Sequence, residues 1–273
     1  DNVVIGYNSF VAANGGEVKN VVIGSAAGSG ITSNDFDNNV IVGYSAGIGG
    51  SDMGSGNVVV GASAFNHTGN NSDNCIIIGR DAAQGDMHTS ADATIAIGRS
   101  ALRAVNAGER NTAIGYQALD ATANGDDNIA IGYDAMTTIG ASDATCNRNL
   151  AIGNYALDAA DGSESDNIAI GYDAMGNANN NSTQYNISIG NYTLDAIGTN
   201  AQTGTIAIGH NALTALTSGA KNTAIGYQAS AGLTTGTNNT ILGYNAFDAA
   251  GVAESNNVAI GVDAMGSADE GTG

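Results

Sequence analysis

The chain has 273 residues, with 26 acidic and 7 basic side chains, a formal net charge of −19, 40 Gly, no Pro and no Trp. So acidic a chain is excluded from gripping nucleic acid or an anionic membrane surface, and its aliphatic runs, such as Val58–Val60, are too short to cross a bilayer. With aromatics at 5% a core of large side chains is excluded, while 42% apolar residues in periodic array argue against disorder.

Read in chain order, one block recurs from end to end: Asn-x-apolar-Ile-Gly-x-x-Ala. Its glycines are Gly6, Gly24, Gly43, Gly61, Gly79, Gly98, Gly115, Gly132, Gly153, Gly171, Gly190, Gly209, Gly226, Gly243 and Gly261, spaced 17 to 21 residues apart. Such a spacing cannot hold two helices with their turns, and the block alternates with period two. Each block therefore predicts a short strand ending at its glycine. Linkers rich in Gly, Asn, Asp, Ser and Thr absorb all the length variation. One rung per block makes an all-β parallel β-solenoid of about fifteen rungs, a single repeat domain over 1–273. The chain opens at Asp1 without an initiator Met, and is read as a portion of a longer fibre or adhesin.

The residue just before each glycine is Ile, Val or Leu in every copy, and this column is expected to be buried. The residue three before it shares that strand face. The residue between them points the other way. It is large in the first five copies (Val4, Val22, Ile41, Val59, Ile77) and mostly Ala from Ala96 onward. Both faces are apolar, so both are expected to be covered. The change of size predicts a neighbouring subunit that approaches more closely after Ala96.

Four residues before the glycine stands Asn in twelve copies, with Cys75, Thr94 and Thr205 as exceptions. Stacked side-chain amides predict a hydrogen-bond ladder. The glycine predicts a bend or a close backbone approach, and the Ala three residues later a narrow interior. Cys75 and Cys146 fall four rungs apart, too far for a disulfide, and Cys75 is expected to be a small buried spacer in the Asn row.

The blocks Asn111–Gly115, Asn128–Gly132 and Asn257–Gly261 resemble the head repeats of YadA-like trimeric autotransporter adhesins. The phrase Asn111–Ala118, repeated at Asn222–Ala229, is similar to repeats in bacteriophage tail fibres. The resemblance implies a left-handed β-roll packed as a homotrimer and a role in attachment to a host surface or matrix. The usual Ser after the family's turn is mostly Ala here.

Chemistry is sought in five places. Gly43–Gly47 matches the nucleophile-elbow pattern, but Ser45 stands in an ordinary repeat column and His67, His88 and His210 lie in unrelated copies. Carboxylates stack in two columns, Asp120, Asp158, Asp195 and Asp248 in one, Asp134, Asp173 and Asp263 in the other, and read as a solvated rim rather than a hydrolytic pair. The acidic loops Asp35–Asn39 and Asp126–Asp127 carry oxygen donors suited to Ca2+ without matching a calcium-loop motif; no cofactor is expected otherwise.

A tyrosine follows the glycine at Tyr7, Tyr44, Tyr116, Tyr133, Tyr172, Tyr227 and Tyr244, with Tyr155 and Tyr192 one place later. That row suits subunit packing or a sugar ligand. Arg80 and Arg99 replace Tyr in successive copies, with Arg103 nearby, and suit an ion-pair belt between subunits or an acidic glycan. The functional expectation is a non-enzymatic extracellular segment of a virion fibre or cell-surface adhesin. It is a rigid trimeric spacer that meets a glycan or protein receptor and does not itself insert in a membrane. A self-polymerising filament is the alternative, and a carbohydrate-degrading solenoid the third.

Overall fold

The structure, a computed structural model, describes residues 1–12, 15–32, 36–49, 53–66, 72–85, 91–104, 108–121, 125–137, 146–159, 164–178, 183–197, 202–248, 251 and 253–266. Every strand is the three residues before a repeat glycine. Contacts divide the chain into two compact units. The first holds β1 (Val3–Ile5), β2 (Val21–Ile23), β3 (Val40–Val42), β4 (Val58–Val60), β5 (Ile76–Ile78), β6 (Ile95–Ile97), β7 (Thr112–Ile114) and β8 (Ile129–Ile131). The second holds β9 (Leu150–Ile152), β10 (Ile168–Ile170), β11 (Ile187–Ile189), β12 (Ile206–Ile208), β13 (Thr223–Ile225), β14 (Thr240–Leu242) and β15 (Val258–Ile260). Within each unit the strands pair in parallel, in chain order and without register slip, as in Val22↔Ile41 and Ala169↔Ser188. Each unit is thus a parallel β-solenoid.

The turn after each strand explains the repeat. The glycine takes φ between 128° and 150°, which L side chains rarely adopt. A Cβ there would run into the next rung's glycine carbonyl, as at Gly61 against Gly79. The second and fourth residues after the glycine are left-handed, for example Ser45 (φ 51°) and Phe65 (φ 50°). The first sends its N–H back to the preceding rung (Ser45 to Ser25 O, 2.9 Å) and the second sends its N–H forward (Phe65 to Ala82 O, 2.8 Å). A third left-handed position stands five before the glycine, as at Asn38, Arg110 and Asp166. Among the described residues, Val, Ile and Thr are absent from the left-handed positions, because a β-branched side chain is the most strained there.

The strand register corrects the sequence expectation. The interior receives the middle strand residue: Val22, Ile41, Val59, Ile77 and the alanines Ala96 to Ala224 are fully buried. The column before the glycine faces outward, from half-buried to as exposed as Ile260 at 64%. Both faces are apolar, so hydrophobicity could not choose between them. The Asn ladder could, since it lies two residues before the middle position and shares its side.

The change of size in that column falls in the chain's own interior and not on a face turned outward, so it carries no inference about a subunit. Six residues after the middle strand position, the left-handed residue fourth after the glycine plugs the same interior. Val22 faces Gly28 and Ile41 faces Gly47, whereas Ala96, Ala113, Ala130 and Ala151 are followed by Leu102, Leu119, Met136 and Leu157, all fully buried. A Cβ on Gly47 would sit 2.7 Å from Ile41 Cδ1, and one on Gly28 3.2 Å from Val22 Cγ1. In these rungs a large strand residue with a small plug, or the reverse, keeps the interior close-packed, whereas Val59 and Ile241 are followed by the equally buried Phe65 and Phe247, so that two large side chains share a rung. Rung eleven shows the same economy in polar form. Ser188 and Thr193 replace two alanines together, and the Ser188 hydroxyl donates to Thr193 O at 3.0 Å.

Candidate functional site

The Asn ladder is continuous wherever Asn follows Asn within a unit. Asn167 Oδ1 accepts from Asn186 N and Nδ2, both at 3.1 Å, while Asn167 Nδ2 donates to Asn149 Oδ1 at 3.2 Å and to Thr183 O at 2.8 Å. Cys75 takes this place in β5's rung. Its N–H donates to Asn57 Oδ1 at 2.9 Å, and its thiol donates to Ala91 O at 3.1 Å as the missing amide would. Burial pushes that thiol up to about 11, Asp92 and Asp73 adding to the effect against the backbone bonds that oppose it. Neither cysteine is in a disulfide, and both are buried. The ladder builds the fold and offers no reactive group.

The loops' acids do similar work. Six residues before the glycine, Asp or Ser side chains cap the N–H of the preceding rung. Asp37 accepts from Val18 N at 2.7 Å, Asp92 from Asp73 N at 2.8 Å and Asp126 from Glu109 N at 2.9 Å. One place later, Arg110 pairs with Asp127 at 2.6 Å and with Glu109, and Arg148 pairs with Asp166 at 2.7 Å. The Arg148 bond holds the Asp166 carboxyl below its ordinary value. Asp35, in the loop read as a calcium ligand set, lies outside the described residues, as do His67 and His88. Among the described residues no three His, Cys, Asp or Glu side chains converge to hold a metal.

The carboxylate columns are not a uniform solvated rim. Asp120 is buried and its Oδ2 accepts from Arg103 Nη2 and Gln117 Nε2, both at 3.0 Å. Desolvation and then the Asp120 charge push the Asp134 carboxyl up. Desolvation and then Asp195 do the same to Asp173. These acids repel one another.

The tyrosines form one exposed array in each unit. Tyr116 and Tyr133 stack at 5.1 Å, and Arg99 lies over Tyr116 at 5.6 Å. In the second unit Tyr155, Tyr172, Tyr192, His210, Tyr227 and Tyr244 follow one another at 5.2 to 5.9 Å. Tyr155 and Tyr192, one place out of phase in sequence, join the array edge-on. Tyr227 and Tyr244 cover each other's faces at 9° between planes. A stacked ring shows a ligand its edge and hydroxyl, which weakens the case for a sugar lying flat on it.

Arg80 and Arg103 are paired within the chain, with Asp81 at 2.9 Å and Asp120 at 3.0 Å. The tyrosines lie beside the outward strand residues. Val3, Ile5, Ile76, Ile78, Ile129, Ile189, Leu242 and Ile260 are all at least one-third exposed. The three outward columns (three before, one before and one after the glycine) form an apolar and aromatic face. Of the chain's 26 acidic residues none stands in it, and its only Lys or Arg are Arg80 and Arg99.

Comparison with protein-family models, with curated proteins and with solved structures finds no match for this chain.

Proposed function

We propose that the chain is a non-enzymatic segment of an extracellular fibre or adhesin, a rigid spacer whose copies associate through the outward strand face and whose loops meet a cell-surface glycan or protein. The single observation behind this reading is that face. A chain carrying 33 charged side chains leaves three adjacent columns free of acid, and such a surface marks a contact site. Four tyrosines of the second unit, 38% to 51% exposed, leave roughly 350 Å² at ~200 Å² per ring. The strand aliphatics add to that, towards the ~800 Å² per partner of a stable interface. The occupant argued for is a second copy of this chain. An identical repeat offers the same uncharged face at the same spacing, whereas most surfaces of the −19 chain would repel it. The homotrimer, rather than another closed assembly, follows from the resemblance to adhesin heads.

Sedimentation of the chain at micromolar concentration tests the reading. A closed trimer is expected, and Ile170→Asp should yield monomers with unchanged circular dichroism. A monomeric wild type refutes it; an open-ended ladder of species favours the self-polymerising filament.

A further inference from the structure

The outward face has one charged spot. Arg80 and Arg99 follow the glycines of β5 and β6, whose strands pair Ile78 with Ile97, so their backbones stand ~5 Å apart. The two cations are treated differently. Arg80 donates to Asp81, and the nearby Arg103 donates to buried Asp120. Arg99 lies over Tyr116, and among the described residues it has no carboxylate at ion-pair distance. The ring holds the guanidinium plane, but the five N–H donors on its edge remain to be spent.

Closed rotational symmetry sets the same residue of every copy at one height. If the copies close over this face, as the proposed function holds and as this inference requires, their Arg99 side chains meet at one level. Each brings an uncompensated positive charge, and the three outward columns supply no acid at any level. Like charges withdrawn from water need a counter-charge beside them. We propose that the assembly binds a free multivalent oxyanion of the sulfate or phosphate class at the Arg99 level, one per assembly, with Tyr116 as the shelf that orients each guanidinium. A planar fork of N–H donors suits such an ion, which Arg grips through paired bonds and Lys only as a point charge.

Native mass spectrometry and calorimetric titration of the full chain with sodium sulfate, in a constant chloride background, test this. One sulfate per assembly, saturable, is the expected result. Arg99→Gln should weaken it by at least about tenfold, the least that loss of a charged hydrogen bond implies, at unchanged assembly mass. Arg99→Lys should weaken it less, and Arg148→Gln, away from the face, not at all. An assembled wild type without saturable sulfate, or with undiminished binding in Arg99→Gln, overturns the proposal, because carboxylates of neighbouring copies then satisfy Arg99. Binding of a sulfated polysaccharide but not of inorganic sulfate overturns it too, by placing the site on an open surface. A monomeric wild type refutes the oligomer and the anion site together, and the mass reading separates that failure from failure of the anion site alone.

Discussion

Replacing Asn167 by Ala tests whether the Asn ladder supports the fold. Asn167 is fully buried and makes two bonds up the stack and two others through its amide. Its loss leaves the Asn186 N–H without its acceptor, while Thr183 O loses its shorter bond and keeps the one from Ser165 N at 3.4 Å. Asn149 Oδ1 keeps its bond from the backbone N of residue 167 (3.1 Å), and Asn186 Nδ2 keeps Gln202 O (3.1 Å). One buried backbone group is therefore orphaned, at about 1–3 kcal/mol, and the lost hydrogen bond to Thr183 O adds about 1 kcal/mol, for a total of about 2–4 kcal/mol. Asn167→Cys should recover about 1 kcal/mol of this, since Cys75 shows that a thiol can still donate to the loop carbonyl. Urea unfolding followed by circular dichroism reads the stability of each variant. Hydrogen exchange at the Asn186 amide reads the orphaned donor directly, and it should accelerate in both variants. An Asn167→Ala chain within about 0.5 kcal/mol of wild type, the range of an ordinary surface substitution, would refute the ladder's role.

Gly47→Leu should destabilise by about 1–3 kcal/mol, the usual range for overpacking, since even a Cβ there meets Ile41 Cδ1 at 2.7 Å. Adding Ile41→Ala recreates the Ala96–Leu102 arrangement and should recover most of the loss, a coupling visible in a double-mutant cycle. Asp173→Asn should stabilise the chain at neutral pH by a few tenths of a kcal/mol. The folded carboxyl is raised by desolvation and then by Asp195, so its favourable contribution is complete only below the unfolded value of about 3.9 and is lost as pH rises through the folded one. Thermal melts of the two chains should therefore converge in acid and diverge towards neutrality. Cys75, with its thiol pushed up to about 11 and no exposed surface, should resist alkylation at neutral pH until the chain unfolds, and peptide mapping under native conditions checks this.

Much of this fold was legible because each repeat column carries one chemical demand. The glycines located every strand end, the Asn row its ladder, the alanines the narrow turn interior, and Cys75 its place as a spacer. The inward face was misassigned because Val, Ile and Ala occupy both sides of the strand. The decisive clue was the shared parity of Asn20 with Val22 and of Asn39 with Ile41. The plug column was overlooked because Phe65, Ala83, Leu102 and Gly47 look unrelated as residue types. What unites them is the lack of a β-branch at a left-handed position; Gly47, Ala83 and Leu102 are also opposite in volume to the residue six places earlier, while Phe65 follows Val59. At the candidate site the tyrosine row was legible. The neutralisation of Arg80 by Asp81 and of Arg103 by Asp120 was not, since side-chain direction at left-handed positions does not follow from spacing alone.

The composition that seemed a poor basis for a core follows from the fold. Backbone N–H groups at the glycine, the strand start, the ladder position and the left-handed positions all reach across to another rung. Pro has no N–H and is confined to negative φ, so it fits almost none of these places, and the chain has no Pro. In many rungs an Ala with a Leu, or an Ile with a Gly, fills the interior. Buried aromatics stand in the plug column, as Phe65 and Phe247, or in a loop, as Phe36, and the tyrosines stand outside. Charges gather in the loops, where Asp caps a neighbouring N–H or meets Arg. Ladder, plug and cap columns are thus spent on holding one rung to the next. Among the described residues, most of the large apolar side chains that stay exposed stand in the outward strand columns or the rings beside them, and a chain so acidic keeps acid out of those columns. Selection for solubility alone would have put Asp or Lys at Ile78, Ile189 or Leu242, where no interior packing forbids it. Their retention as aliphatics is what the proposed association through this face requires.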